Sequence, residues 1–377
     1  MTETLPQLLA EIDDPELVER VLHELDGHVG EELSADRPSQ QDTLSDHYNR
    51  YIKRCRNRSP STIAQYKRTI PDFIEFARIH EISTPADLTV NIIDRYVDEL
   101  RSTYDADATI LTYTKNVRAW LSWLNTRRLC DSQVYAVLNK EDLDLSPTAR
   151  DTALPEAEAK AIIQRLRRQR RGMHLHVILE LTWNGGPRLG DMYSSDVSDF
   201  YPEEQALKFR HRPEQGTRLK NGYEQDDTPG DGERDLHLKE CTVEALQLYI
   251  ENYRPDVTDE YGRRPLFATP HGRASRSTLR RWLYEATSCR WGPGDSHALS
   301  CDGECDPDTD VCSYSYYPHA IRRGAIVNQL SGGLRKDRAS ERFNVSIQTL
   351  KKHYDPRSKH KAKEDRREAV EDAWSDW

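Results

Sequence analysis

The chain has 377 residues, of which 31% are charged and 36% are hydrophobic, and its formal net charge is −10. This composition is typical of a water-soluble protein with enough apolar residues for two or three folded domains. The sequence contains no run of about 18 apolar residues, and its acidic start does not resemble a secretory signal or a transit peptide. We therefore expect a cytoplasmic protein, and neither a membrane-spanning nor a secreted one.

The negative charge is concentrated at the N-terminus. Residues 1–40 contain eleven acidic side chains and only two arginines, so the rest of the chain is nearly neutral and includes basic clusters. Arginine outnumbers lysine by 40 to 14. This pattern fits a cytoplasm of high salt concentration, and it keeps nucleic acid among the candidate partners despite the net charge. Seven cysteines without a secretory signal indicate a reducing compartment.

The first part of the chain is predicted to be helical. Residues 1–41 form an acidic arm, with one short amphipathic helix expected after Asp14. Residues 42–135 carry apolar side chains at intervals of three and four, which is the spacing of helices that bury one face. Ser59 and Pro60 are typical of a helix start. We predict a small all-helical domain, with helices over residues 59–76, 90–104 and 109–124.

A second, larger domain is predicted after a polar linker over residues 136–152. In residues 153–377, helical stripes alternate with two short strand-like runs. This domain also contains a Cys-rich insertion, residues 289–312, and a charged C-terminal tail. The predicted fold class is mainly α with a small β-sheet. The expected helices cover residues 155–171, 173–184, 241–253, 275–287 and 318–330, and the expected strands cover residues 206–210 and 235–238.

Four segments of the second domain carry most of the information on function. They are GGPRLGDMYSSDVSDF (185–200), GTRLKNGYE (216–224), YYPHAIRRGA (316–325) and VSIQTLKKHYDPRS (345–358). In this order they resemble the tyrosine recombinases, the phage-integrase and Xer family. Together with the charge pattern, the segments GTRLKNG, DEYGRRPLFATPHGR and KKHYDPRS are similar to haloarchaeal members of that family. The helical segment before them resembles the SAM-like core-binding domain of that family. The resemblance covers about residues 42–358 and implies a mixed α+β catalytic domain after the helical one.

The resemblance implies a set of catalytic residues, and the chemistry needs these residue types. Two guanidiniums, Arg188 and Arg322, can clamp the phosphate of a DNA strand, which lysine does less well. His319 lies one helical turn before Arg322 and can assist proton transfer. Lys220 at the hairpin tip would protonate the leaving 5′-oxygen. Tyr354 would be the nucleophile and would form a 3′-phosphotyrosine, so strands could be rejoined without ATP, a catalytic metal or another cofactor.

Three positions leave alternatives open. The family usually has a second His or a Trp before the tyrosine, where this chain offers Asn344 or, one residue along, Val345. Asn344 can still donate a hydrogen bond to a phosphate. His353, next to the tyrosine, is an alternative substitute. Lys208 and Arg218 lie in the same hairpin as the predicted lysine and compete with it. Asp191 matches an acidic family position and is expected to orient its neighbours rather than to react.

The function implied by the resemblance is site-specific DNA recombination or integration on double-stranded DNA, by a homotetramer assembled on that DNA. The unusual residue at position 344 keeps a second hypothesis open, a DNA-binding protein with this fold but reduced or lost strand exchange. A nicking and closing activity of the topoisomerase type is a third. Candidate phosphate contacts are exposed basic side chains on predicted helices. We select Lys115, Arg118, Arg168 and Arg280.

Four of the seven cysteines lie within the Cys-rich insertion. Thiolates suit tetrahedral Zn²⁺, and a loop rich in Gly and Asp has little core of its own to hold it. The spacing lacks the paired C-x₂-C pattern, so four ordinary reduced thiols are an equal alternative. If zinc binds, its role is structural. The candidate ligands are Cys289, Cys301, Cys305 and Cys312.

Overall fold

The computed structural model divides the chain into two compact units, with the boundary between residues 149 and 150. The predicted helix of the acidic arm and all of the C-terminal tail after residue 354 except residues 367 and 371 fall outside the described residues. Each unit is described by itself. The structure describes residues 41–56, 58–146, 151–220, 232–291, 312, 314–354, 367 and 371.

The first unit is helical, as predicted, and its helices begin at side chains that cap them. The hydroxyl of Ser59 accepts a hydrogen bond from the backbone N–H of Thr62 at 3.2 Å, which satisfies a donor that has no partner within the helix. Thr43 and Asp46 form a reciprocal capping box at the start of the first helix. The helices are α1 (Leu44–Arg54), α2 (Pro60–Ile79), α3 (Val90–Thr103), α4 (Asp107–Asn125) and α5 (Gln133–Ala136).

Aromatic rings fill the centre of the first unit. The ring of Phe73 contacts those of Tyr96 and Trp120 edge-on, with centroids 4.9 and 6.2 Å apart, a favoured geometry for aromatic pairs. The core extends further along the chain than the sequence indicated. Residues 138, 143 and 145 are buried leucines in the same core, so they belong to the first unit rather than to the predicted linker over 136–152.

The second unit is helical with a small antiparallel sheet, which confirms the predicted fold class. The helices are α6 (Glu156–Gln169), α7 (His174–Gly185), α8 (Leu189–Ser194), α9 (Glu240–Asn252), α10 (Arg276–Ala286), α11 (Pro318–Ser331), α12 (Lys336–Phe343) and α13 (Ile347–His353). The strands are β1 (Phe200–Tyr201), β2 (Ala206–Phe209), β3 (Arg234–His237), β4 (Ala268–Thr269) and β5 (Gly272–Arg273).

The three-stranded sheet has the order β1-β2-β3, and Leu207 of β2 pairs with Phe200 of β1 and Leu236 of β3. The sequence did not predict β1 or the separate hairpin formed by β4 and β5.

Helix α7 lies at the centre of the second unit and is buried on nearly all sides. Helix α11 packs closely against it because Gly324 has no side chain. A Cβ atom at this position would lie 2.2 Å from the carbonyl oxygen of Leu154 and 2.9 Å from the ring of Trp183. A smaller apolar cluster joins the end of α11 to α12 and α13, and it includes Phe343, Leu350 and Tyr354. This packing brings the C-terminal helices next to the turn that follows α7.

No helix in the described part of the chain is long and apolar enough to cross a membrane.

Candidate active site

The turn after α7 fixes the backbone of Arg188. Gly186 ends the helix in the left-handed conformation, with φ of 59°, which glycine adopts without a steric penalty. Arg188 then serves as the N-cap of α8, and its backbone N–H donates to Oδ2 of Asp191 at 2.8 Å. Asp191 is buried, and by accepting this hydrogen bond it fixes the first turn of α8.

Arg322 lies in α11 and its side chain is almost fully buried, with 2% of its surface exposed. Its Nη1 donates to the carbonyl oxygen of Gly186 and its Nη2 to that of Phe343, each at 2.5 Å. Both acceptors are neutral. Burial, and then the positive charge of Arg188, lowers the pKa of Arg322 to about 9. The site therefore holds a buried cation that lacks a full counter-charge.

The side chain of Arg188 also leaves a donor unused. Its Nη2 donates to the carbonyl oxygen of Asn344, whereas its buried Nη1 has no hydrogen-bond partner among the residues that the structure describes. Burial lowers the pKa of Arg188, and the charge of Arg234 adds to that effect. A buried, unsatisfied cationic donor is costly unless an anion occupies the space beside it. The arrangement of Arg188 and Arg322 thus favours the binding of an anion such as a phosphate.

Tyr354 and His319 meet beside the two arginines. The hydroxyl of Tyr354 lies 3.3 Å from Nε2 of His319, and the tyrosine side chain is buried. Desolvation, followed by nearby positive charges that include Arg322 and Lys220, lowers the pKa of His319. The imidazole is therefore neutral near pH 7 and can accept a proton from the phenol.

Lys220 and Asn344 lie at the edge of the same site. The side-chain amide of Asn344 donates to the backbone oxygen of Lys220 at 3.5 Å, and the lysine itself is exposed. The competing candidate Lys208 is engaged elsewhere, since its Nζ lies 3.2 Å from Glu204 and 3.7 Å from the centroid of the Tyr201 ring. The structure thus brings together all six residues that were predicted to be catalytic.

Arg234 also contacts this site, and sequence reasoning did not identify it. From β3, its Nη2 donates to Oδ2 of Asp191 at 2.6 Å and its Nε donates to the carbonyl oxygen of Arg342 at 3.0 Å. It thus ties Asp191 to the end of α12. In the sequence, Arg234 is only an arginine at the start of a strand after the polar hairpin. That signal is too weak to assign it to the site without the structure.

The predicted phosphate contacts are all exposed. Lys115 and Arg118 lie on α4, Arg168 on α6 and Arg280 on α10. The basic run that contains Arg168 is not uniformly available for such contacts. Arg167 donates from Nε and Nη2 to the buried carboxylate of Glu180, at 3.0 and 2.6 Å, and is part of the fold. Burial would raise the pKa of Glu180, but the nearby His176, whose Nε2 lies 3.4 Å from Oε2, and the hydrogen bonds from Arg167 outweigh it and hold this pKa at about 2.

The predicted zinc site is only partly described. Cys289 is half-buried and Cys312 is buried, whereas Cys301 and Cys305 fall outside the described residues. Within the described part of the chain, no group of three or more His, Cys, Asp or Glu side chains is arranged to hold a metal ion. Zinc binding by the insertion therefore stays a prediction.

Solved structures with the same architecture are integrases. The Tn1549 transposon integrase in complex with transposon right-end DNA has a TM-score of 0.64 and 12% identity, and the match covers 87% of this chain and 99% of that one. A lambda integrase dimer bound to a COC′ core site has a TM-score of 0.56 and 16% identity, with 91% and 86% covered. The chain has the integrase fold.

The sequence comparison supports this for the first unit. Residues 46–128 match the family model described as "Phage integrase, N-terminal SAM-like domain". No curated protein matches the sequence. The integrase fold agrees with the predicted pairing of a SAM-like helical domain with a mixed α+β domain. Since one fold can serve several activities, the activity has to be argued from the site itself.

Proposed function

We propose that this protein is a tyrosine-type site-specific DNA recombinase in which Tyr354 is the nucleophile. The observation that carries the proposal is the 3.3 Å separation between the hydroxyl of Tyr354 and Nε2 of His319, beside Arg188 and Arg322. A nucleophile, a proton acceptor and two cationic donors are the groups that phosphoryl transfer to a tyrosine requires.

The arginines would hold the phosphate of the strand to be cut. A phosphodiester is an anion, and its pentacoordinate transition state places more charge on the non-bridging oxygens. Arg188 has an unused Nη1, and burial, together with the positive charge of Arg188, lowers the pKa of Arg322 to about 9. A bound phosphate relieves both effects, and it does so most strongly in the transition state, where the charge is greatest.

Proton transfer would involve both sides of the scissile bond. His319, whose pKa is lowered, accepts the proton of Tyr354 as the phenolic oxygen attacks phosphorus. The P–O bond to the 5′-oxygen breaks, and Lys220 donates a proton to that oxygen. The 3′-phosphotyrosine keeps the energy of the broken bond, so the reverse attack by a 5′-hydroxyl rejoins a strand. Neither ATP nor a catalytic metal takes part in these steps.

Double-stranded DNA is the proposed partner. The Tn1549 integrase was solved in complex with transposon DNA and the lambda integrase as a dimer bound to a core site, which supports DNA binding by this chain. The exposed Lys115, Arg118, Arg168 and Arg280 are candidate phosphate contacts. We further propose that four copies assemble on two DNA sites, and that the protein acts in the cytoplasm of a halophilic cell.

A DNA-binding protein with this fold but little strand exchange is the second candidate, and one observation favours it. The side chain of Asn344, at the position where the family usually has His or Trp, donates to the backbone of Lys220. An amide committed to this contact supplies less to a phosphate than a free donor would. If strand exchange is reduced in this protein, the residue at position 344 is therefore its expected cause.

Covalent capture on a nicked DNA duplex tests the proposal. Cleavage next to the nick releases a short strand, so the covalent adduct accumulates and is visible on a denaturing gel in molar KCl. We expect an adduct with the wild type and none with Tyr354→Phe. Tyr253→Phe, which removes an exposed hydroxyl elsewhere in the same unit, should behave as the wild type.

The outcomes separate the candidate functions. Specific DNA binding without any adduct would support the non-catalytic alternative. An adduct without strand exchange between two sites would point to nicking and closing of the topoisomerase type. An adduct that persists in Tyr354→Phe would show that another residue is the nucleophile. Metal analysis of protein purified without chelator tests the separate prediction of a structural zinc in the Cys-rich insertion.

A further inference from the structure

The end of α12 supplies backbone oxygen atoms to three arginines of the candidate site. The carbonyl oxygens of residues 342, 343 and 344 accept hydrogen bonds from Arg234, Arg322 and Arg188, respectively. Because a carbonyl is neutral, it orients a guanidinium and leaves its charge available to a phosphate, whereas a carboxylate would neutralise it. The position of this turn therefore determines where the guanidiniums of Arg188 and Arg322 lie.

Helix α12 is too short to hold that turn by itself. It contains eight residues, Lys336–Phe343, and ends at Asn344, whose φ of 49° lies in the left-handed region. Isolated helices shorter than about 12 residues are marginal in water, so tertiary contacts must fix its end. Two side chains at the end of α12 make these contacts. Phe343 makes the apolar ones and is buried against α11 and α13. Arg342 makes the polar ones.

The guanidinium of Arg342 binds three different parts of the second unit. Its Nε donates to Oε1 of Gln329 in α11, its Nη1 to the carbonyl oxygen of His237 in β3, and its Nη2 to that of Asn184 in α7, each at 3.0 Å. Gln329 itself donates to the same oxygen of Asn184 at 3.0 Å. All three acceptors are neutral, and burial lowers the pKa of Arg342. These hydrogen bonds therefore fix the position of Arg342 relative to its neighbours and do not pair its charge with an opposite one.

We propose that Arg342 is a positioning residue of the candidate active site. It fixes the last turn of α12 against α7, α11 and β3, so that the backbone of this turn holds Arg188 and Arg322 where a phosphate is bound. Arg342 acts through the backbone and touches none of the reacting atoms. This inference rests on the proposed recombinase function. Lysine, with one nitrogen, cannot replace a guanidinium that reaches three acceptors.

Single-turnover adduct formation at saturating nicked DNA tests the role of Arg342. In Arg342→Gln we expect the first-order rate constant to fall on the order of 10–100-fold, because small misplacements of catalytic groups have effects of this size. The final amount of adduct and the Kd for DNA should stay close to the wild-type values. Arg342→Lys should recover only part of the rate. Arg338→Gln is the matched control, since Arg338 is an exposed residue of the same helix that contacts Glu341.

The rate and the amplitude distinguish positioning from a purely structural role. If Arg342 had only a structural role, its substitution would reduce the number of folded molecules, which lowers the final amount of adduct but leaves the rate constant unchanged. That result would overturn the proposal. A variant with both the wild-type rate constant and the wild-type amount of adduct would also overturn it. If Arg342→Gln does not fold, Gln329→Met is measured instead, because it removes the side-chain oxygen that accepts from Nε of Arg342. A slower rate of adduct formation at full amplitude supports the proposal, and an unchanged rate overturns it. A wild type that binds DNA but forms no adduct would instead overturn the proposed function.

Discussion

The hydroxyl of Tyr354 lies 3.3 Å from Nε2 of His319, although 35 positions separate the two residues in the chain. Tyr354 directly follows α13 and is buried in the cluster that joins α11, α12 and α13, whereas His319 lies in the first turn of α11 and is exposed. A proton that leaves the phenol therefore has an acceptor at its side, and that acceptor is partly covered by its neighbours and partly exposed to solvent.

Acidification should slow adduct formation through the protonation of His319. Desolvation and nearby cations lower its pKa from 6.5, so the imidazole is neutral at pH 7 and becomes charged only below the lowered pKa. A charged imidazole cannot accept the proton of Tyr354, so the rate should fall on the acid side, with its midpoint below pH 6.5. The measurement is the rate of adduct formation between about pH 5 and 8, where histidine titrates. In His319→Gln the decrease in rate on the acid side should be absent. A variant whose rate still depends on pH as in the wild type would contradict the role of His319 as the proton acceptor.

Sulfate should raise the Tm of the protein by binding between Arg188 and Arg322. The anion would satisfy the buried Nη1 of Arg188 and offset the like charges of the pair, and a ligand that binds only the folded state stabilises it. Arg188→Met should lose most of this gain. Arg335→Met, which removes an exposed arginine paired with Asp337, should keep it. The measurement is the Tm in sulfate and in chloride at equal ionic strength, and equal gains in both variants would contradict an anion site here.

The helices, and the shared face of two candidate site residues, could be predicted because their signals are local. Ser59 and Thr89 cap helices whose apolar stripes are visible in the sequence, and the structure places α2 and α3 where these signals indicate. His319 and Arg322 lie one turn apart on α11, so their common face follows from helical geometry alone. The fold class was predictable from the same patterns.

The groups that hold the arginines could not be predicted in this way. Arg342 donates to the backbone of Asn184, 158 residues earlier, and Arg234 to the backbone of Arg342, 108 residues later. Every residue has a backbone carbonyl, so the type of residue in the sequence does not indicate which carbonyl accepts such a hydrogen bond. The extension of the first core was missed for a related reason. Leu143 and Leu145 lie among polar residues and form no stripe of helical spacing.

Gly324→Ala should destabilise the second unit. A Cβ atom at this position would lie 2.2 Å from the carbonyl oxygen of Leu154 and 2.9 Å from the ring of Trp183, so α11 would have to move away from its neighbours. Overpacking of this kind costs about 1–3 kcal/mol in the free energy of unfolding, and the backbone contact places this substitution at the upper end. Gly332→Ala is the control, because the nearest atom to its Cβ would be 3.4 Å away. Calorimetry of the full chain is the measurement, and equal transitions in both variants would contradict the packing described here.

Lys115→Ala and Arg118→Ala should each weaken DNA binding without a preference for sequence. Both side chains are exposed on α4, and each is proposed to contact one phosphate. Losing one phosphate contact lowers the slope of log Kd against log salt concentration by about 0.9, since fewer counterions are released on binding. Arg78→Ala is the control in the same unit, because Arg78 is held by the carboxylate of Glu75 at 2.6 Å. The measurement is a salt titration of binding to the cognate site and to unrelated DNA. A loss confined to the cognate site would show that these side chains read bases, and slopes equal to that of the control would show that α4 does not face the DNA.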